Sequence, residues 1–122
     1  MIISEDQNSA TYQIHSISAG KIVVNGASYS NSLIISPNQF IPNWPPKNAD
    51  MLTDDDLLKL LVCKPEIILL GTGEKSIVLS SKKLAVLLEK QFHVECMNTA
   101  AACRTYTILS SENRNVVAGL IL

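Results

Sequence analysis

This chain has no cysteine pairing pattern, no basic cluster and no long apolar run, and each absence removes a class of function. Its three cysteines, Cys63, Cys96 and Cys103, are odd in number and lack CxxC spacing. Neither a disulfide framework nor a zinc site is expected from them, and a reducing compartment is the default. Ten basic residues stand against eleven acidic ones, a formal charge of −1 with neither sign in long blocks. Nucleic-acid binding draws its affinity from clustered Lys and Arg, so that class is not expected. The longest apolar run, Val116–Leu122 with Gly119 included, falls well short of the roughly 18–20 residues that span a bilayer. Met1–Ala10 carries Glu5 and Asp6 and no basic residue, unlike a secretory or transit leader, so a cytoplasmic location is expected.

What is present is the composition of an ordinary folded domain, 47% apolar and 17% charged over 122 residues. That length suits one domain, residues 1–122, with Met1–Thr11 read as a loose polar tail. Tyr12–Ile17, Lys21–Val24, Ala27–Tyr29 and Leu33–Ser36 read as strands of a β-meander. Asn25-Gly26 supplies the positive φ values of a type I′ hairpin. Pro37–Asn48 holds four prolines and reads as a surface connection. Its Phe40, Ile41 and Trp44 either fold back to cap the sheet, as loop aromatics usually do, or offer Trp44 to a partner.

The second half changes period. Thr53 caps a helix whose first turn carries Asp54, Asp55 and Asp56, favourable at the positive end of the helix dipole. Consecutive carboxylates point in different directions around a helix, so no metal is expected there. Pro65 ends that helix. Glu66–Leu70 is a continuous apolar run, as expected of a strand covered on both faces. A helix over Lys82–Gln91 capped by Ser80 or Ser81, a strand over Phe92–Met97, a helix over Ala100–Ser110 capped by Asn98 or Thr99, and the strand Val116–Leu122 follow. Strand–helix–strand–helix at this spacing implies parallel pairing with crossover helices.

In open α/β sheets, ligands collect beyond the carboxyl ends of parallel strands. Gly71, Thr72 and Gly73 follow one such strand and Thr99 follows the next, with Arg104 and Lys75 in reach of the same edge. An anion or polar small molecule could sit there. The glycines equally suit a plain turn, since GTG is neither GxGxxG nor a P-loop. Cys103, near a helix start, is either an activated thiol or, more in keeping with its Ala-rich setting, an inert core residue. Tyr106, Glu112 and Arg114, with Arg104, either pin the last helix to the last strand or contact a partner. No complete catalytic constellation emerges, and neither a catalytic residue nor a cofactor is expected.

Three segments carry a family resemblance. They are Pro65-Glu66-Ile67-Ile68-Leu69-Leu70-Gly71-Thr72-Gly73, then Val94-Glu95-Cys96-Met97-Asn98-Thr99-Ala100-Ala101-Ala102-Cys103-Arg104-Thr105-Tyr106, then Glu112-Asn113-Arg114-Asn115-Val116. From about Lys21 onward the chain resembles a family of domains of unknown function found in bacteria, archaea and eukaryotes. That family includes the mitochondrial complex I (NADH dehydrogenase) assembly factor 3 and a human relative associated with adipogenesis. Thr107 and Asn113 depart from its pattern, which usually has asparagine after the tyrosine and glycine between the Glu and Arg. The resemblance implies a three-layer α/β fold with a central mixed sheet, an N-terminal β-meander layer and a C-terminal β-α-β-α-β half. It carries over no reaction and no cofactor. The expected function is a non-enzymatic binding or assembly role with a protein partner. The alternative is a small-molecule or anion binder, or an enzyme, using the edge between Gly71–Lys75 and Thr99–Arg104.

Overall fold

Two tight turns build the first sheet. The structure is a computed structural model that describes residues 9–122. In it β1 (Ile14–Ser18), β2 (Lys21–Val24) and β3 (Ala27–Tyr29) pair antiparallel in that order. Asn25 and Gly26 have φ of 49° and 85°, both positive as a type I′ turn requires. Residues 1–8 of the expected loose tail lie outside the described residues. The rest of it is tied down, since the Thr11 amide donates to the Pro37 carbonyl at 2.9 Å and Ala10 is buried.

The expected fourth strand of the meander leaves that sheet. β4 (Leu33–Ile35) pairs antiparallel with β8 (Val116–Leu120) and with the short β5 (Phe40–Ile41). Leu33, Ile34 and Ile35 are all buried, which only a strand covered on both faces can satisfy. β6 (Ile67–Gly71) runs parallel to β8 on one side and to β7 (Val94–Met97) on the other. The result is a five-stranded mixed sheet in the order β5-β4-β8-β6-β7. The Pro-rich connection thus contributes one two-residue edge strand, the position where flanking prolines are tolerated.

Alternation along the central strands divides the core in two. Ile34, Ile68, Leu70 and Val117 face the layer built on α1 (Asp54–Lys59) and α2 (Ala85–Leu88), together with Leu57, Leu60 and Leu87. Leu33, Ile35, Leu69, Ala118 and Leu120 face the opposite way, toward α3 (Thr99–Ser111) and the first sheet, meeting Tyr106, Ile22 and Val24. Helix, sheet, and helix with second sheet make the three layers. Among the described residues no helix is long and apolar enough to cross a membrane.

Local chemistry sets the helix ends. Thr53 and Asp56 form a reciprocal capping box, with both hydrogen bonds at 3.1 Å. α1 tightens into a 3-10 turn over Leu60–Cys63 before Pro65. The helix expected over Lys82–Gln91 shrinks to one α-helical turn. Only Leu84 and Leu87 of that segment are buried, and the left-handed Gln91 (φ 70°) ends it with the Phe92 amide on the Leu87 carbonyl. α3 is the long helix, capped by Asn98, whose side chain accepts from the Ala101 amide at 2.8 Å.

Candidate functional site

Parallel registry brings two loops to one edge. Gly71 stands opposite Met97, so β6 and β7 end level and the chain leaves both strands on the same side. The loops are then laced together. The Thr72 amide donates to the Met97 carbonyl at 2.9 Å and the Thr99 amide to the Gly73 carbonyl at 2.8 Å. The Thr99 hydroxyl accepts from the Gly73 amide at 2.8 Å and donates to the Ile121 carbonyl at 2.6 Å. The Thr72 hydroxyl accepts from the Ile77 amide at 3.1 Å and donates to the Lys75 carbonyl at 2.6 Å, with the Met97 carbonyl at 3.1 Å as a second acceptor.

Beside this lacing lies a cleft of about 790 Å³. Ile17 and Ala19 of the β1–β2 hairpin, Ile77, Ala100 at the start of α3, Ile121 and Leu122 give it an apolar wall. Lys47, Glu74 and Lys75 are its charged members, all exposed. The expected ligand-binding residues therefore separate. Thr72, Gly73 and Thr99 line the cleft, but both hydroxyls already have a donor and an acceptor. Gly71 lies beneath, buried, where an added Cβ would meet the Thr99 Cα and Oγ1 at 2.9 Å each. Arg104 sits farther along α3, exposed and outside the cleft wall.

The start of α3 has little left to offer an anion. Of its first four amides, those of Thr99, Ala101 and Ala102 already donate, to the Gly73 carbonyl, the Asn98 side chain and the Asn98 carbonyl. Cys103 is buried, and burial pushes its thiol up from 9.0 to about 12, only partly offset by the Arg104 charge. At neutral pH it is a protonated core thiol and a poor nucleophile.

The expected partner-contact set also divides. Trp44 is 3% exposed; its indole N–H donates to the Asp56 carbonyl at 3.2 Å. Tyr106 is fully buried and its hydroxyl donates to the Tyr12 carbonyl at 2.6 Å. Both belong to the core. Glu112 and Arg114 are exposed, beyond the C-terminal end of α3, and the Arg114 Nε lies 3.8 Å from the Glu66 carboxylate. The pinning of the α3–β8 turn falls to Asn115, which was not singled out from sequence. Its amide donates to the Glu66 carboxylate at 2.8 Å and its side chain to the Cys63 and Lys64 carbonyls. The hairpin and the chain segment Ile121–Leu122 were likewise missed as cleft walls. Nothing in local periodicity reports which loops meet across layers.

Comparison with known proteins places this geometry. A Francisella tularensis protein named "13 kDa major membrane protein" is 30% identical over 122 residues, covering 95% of each chain. The Danio rerio NADH dehydrogenase [ubiquinone] 1 alpha subcomplex assembly factor 3 is 29% identical over 120 residues, covering 98% of this chain and 69% of its own length. Among solved structures, a Bordetella parapertussis protein superposes with a TM-score of 0.85 at 32% identity, covering 92% of this chain and 96% of that one. A Bordetella pertussis protein described as a Mth938-like domain gives 0.83 at 27% identity, covering 99% and 92%. With residues 14–121 also matching its family pattern, the chain belongs to the family described as protein of unknown function (DUF498/DUF598).

Proposed function

We propose that this protein is a non-enzymatic binding module that helps assemble a larger protein complex, and that it holds its partner at the cleft beside Thr72 and Thr99. The single observation carrying this reading is the state of the cleft's polar groups. The Thr72 and Thr99 hydroxyls and the Asn98 side-chain oxygen are spent on backbone partners, which leaves a concavity whose apolar wall suits burying an aliphatic side chain of a partner. The relationship to a protein named as an assembly factor supports the same role. The proposed location is the cytoplasm, a reducing setting in which Cys63, Cys96 and Cys103 stay free.

The test is a pull-down from native lysate with the chain and its Ala100→Arg variant as parallel baits. Ala100 lines the cleft at half-burial, so the long side chain blocks the concavity without entering the core. The expected result is a stoichiometric partner recovered by the parent and lost by the variant. Recovery of bait alone, or equal recovery by both, would count against the reading.

The cleft volume supports a second reading. At about 790 Å³ it lies within the range of small-molecule sites. If a metabolite with an apolar body and an anionic group is the occupant, it raises the melting temperature of the parent but not of Ala100→Arg. A panel of carboxylate and phosphate metabolites that leaves the melting temperature unmoved rejects it.

A further inference from the structure

A sheet edge presents unpaired backbone groups, and all but one of the edges here are guarded against further pairing. β5 is two residues long and runs straight into Pro42. β3 has three residues, and β1 breaks register between Ile14 and Ser16, as a bulged strand does. β7 has no such device. It closes one side of the five-stranded sheet as four regular residues, Val94–Met97, with neither proline nor lysine among them.

Which backbone groups point outward follows from the bonds already made. The Met97 carbonyl accepts from the Thr72 amide, so Met97 faces β6. Alternation along the strand then turns Glu95 toward β6 as well, and aims the N–H and C=O of Val94 and Cys96 away from the sheet. Among the described residues no strand or loop hydrogen-bonds to that outer side. The side chains alternate too. Phe92, Val94 and Cys96 lie half-buried against the α1–α2 layer, while His93 and Glu95 are exposed on the opposite face.

We infer that β7 is a homodimer interface, pairing antiparallel with β7 of a second copy about a two-fold axis at Val94. In that register the two Val94 residues exchange both backbone hydrogen bonds, and each Cys96 amide reaches the Phe92 carbonyl of the other copy. The Phe92 amide already donates to the Leu87 carbonyl at 3.0 Å, which ends the ladder there. His93 then stands opposite Glu95 of the second copy, and by symmetry Glu95 opposite its His93, each pair an imidazole N–H facing a carboxylate. Moving the axis one residue, to Glu95, would set the two Glu95 carboxylates face to face, where like charges repel. The strand is therefore complementary to itself, and an unrelated strand carries no such built-in match. None of Phe92–Cys96 lines the cleft, so this interface stands apart from the reading given to the cleft.

Sedimentation equilibrium of the full chain over a concentration series tests the inference. The expected result is a monomer–dimer equilibrium, with hydrogen exchange of the Val94 and Cys96 amides slowing as the dimer forms. Glu95→Lys or His93→Glu alone turns both symmetric pairs into mismatches and should weaken dimerisation about tenfold. Combining the two changes restores opposite charges across the axis and should recover most of the parent's affinity. Val94→Pro removes the outward donor of an edge strand and should abolish the dimer. Circular dichroism and melting temperature check each fold, and the charge variants, at exposed positions, carry the test if Val94→Pro does not fold. A monomer at every concentration up to about 1 mM, or a dimer indifferent to Glu95→Lys, would overturn the inference. So would a double variant that dimerises no better than either single change, since the copies would then not pair about Val94.

Discussion

Gly119 stands where a side chain has no room. A Cβ built there would lie 2.7 and 2.8 Å from two ring carbons of Trp44 and 2.9 Å from a Leu60 methyl. The indole is buried and hydrogen-bonded to the Asp56 carbonyl, so it cannot swing away without losing that bond. Gly119→Ala is therefore expected to cost about 1–3 kcal/mol, the range for overpacking a filled core. Urea unfolding checks this, and an unchanged midpoint would show that the ring shifts freely. Cys103 provides a second test through pH. Its thiol is raised from 9.0 to about 12 by burial, so below pH 9 both folded and unfolded thiols are protonated and its contribution is fully present. As pH climbs from 9 toward 12 the unfolded thiol ionises while the folded one does not, and stability falls by about 1.4 kcal/mol per pH unit from this group. Tyr106, also raised by burial from 10.0, adds to the fall once pH passes about 10. Cys103→Ala should flatten the first part of that decline in unfolding free energy measured between pH 8 and 11. A slope identical to the parent would mean that the thiol is not protected in the folded state.

At the scale of elements, the departure of Asn113 from the usual glycine acquires a physical meaning. α3 ends with Asn113 at φ 62°, its amide on the Ser110 carbonyl and the Arg114 amide on the Leu109 carbonyl, the paired bonds of a Schellman motif. Asparagine tolerates this left-handed position; a β-branched residue does not. Asn113→Val should cost about 1–2 kcal/mol, whereas Asn113→Gly should be neutral or stabilising in thermal unfolding. Equal effects of the two would exclude backbone strain as the cause. Elements with strong local chemistry were legible from sequence in this way. The Thr53 cap, the Asn25-Gly26 turn, the cap at Asn98 or Thr99 and the buried strand β6 each carry a short-range signal. Two others were not. α2 has one apolar turn, too short to sustain a helix on propensity, so its length depends on what Leu84 and Leu87 meet. β4 was read as meander because it follows a hairpin. Its three consecutive buried aliphatics resemble those of β6 and mark a strand of the central sheet. Gly71-Thr72-Gly73 was legible as a loop at the right edge, though only Gly73, at φ 99°, serves the turn. Gly71 is there so that Thr99 can approach β6.

For the whole molecule, the question is how two sheets with no shared strand act as one body. The first sheet contributes Ile22 and Val24 to the same apolar cluster as Leu120 and Tyr106. Tyr12 and Tyr29 also close on Phe40 of β5 at centroid separations of 5.6 and 4.9 Å. Polar links reinforce this packing: the Thr11 and Tyr12 amides donate to the Pro37 carbonyl, and the Tyr106 hydroxyl in α3 donates to the Tyr12 carbonyl ahead of β1 at 2.6 Å. Cleft geometry depends on the same docking, because Ile17 and Ala19 reach its wall only when the first sheet lies against α3. β8, flanked by β4 and β6 and buried along its whole length, has no such dependence. Hydrogen exchange should therefore grade the molecule. Amides of β6 and β8 should exchange slowest, those of β1–β3 faster, and the exposed loop around Val78 fastest. Tyr106→Phe removes the tyrosine link while keeping the ring, and should cost about 0.5–1.5 kcal/mol. Its effect on exchange should concentrate in β1 and β2 while β8 changes only with global stability. A uniform acceleration across both sheets would show instead that they open as one cooperative unit, with the tyrosine bond stabilising the whole molecule and not the seam between its layers.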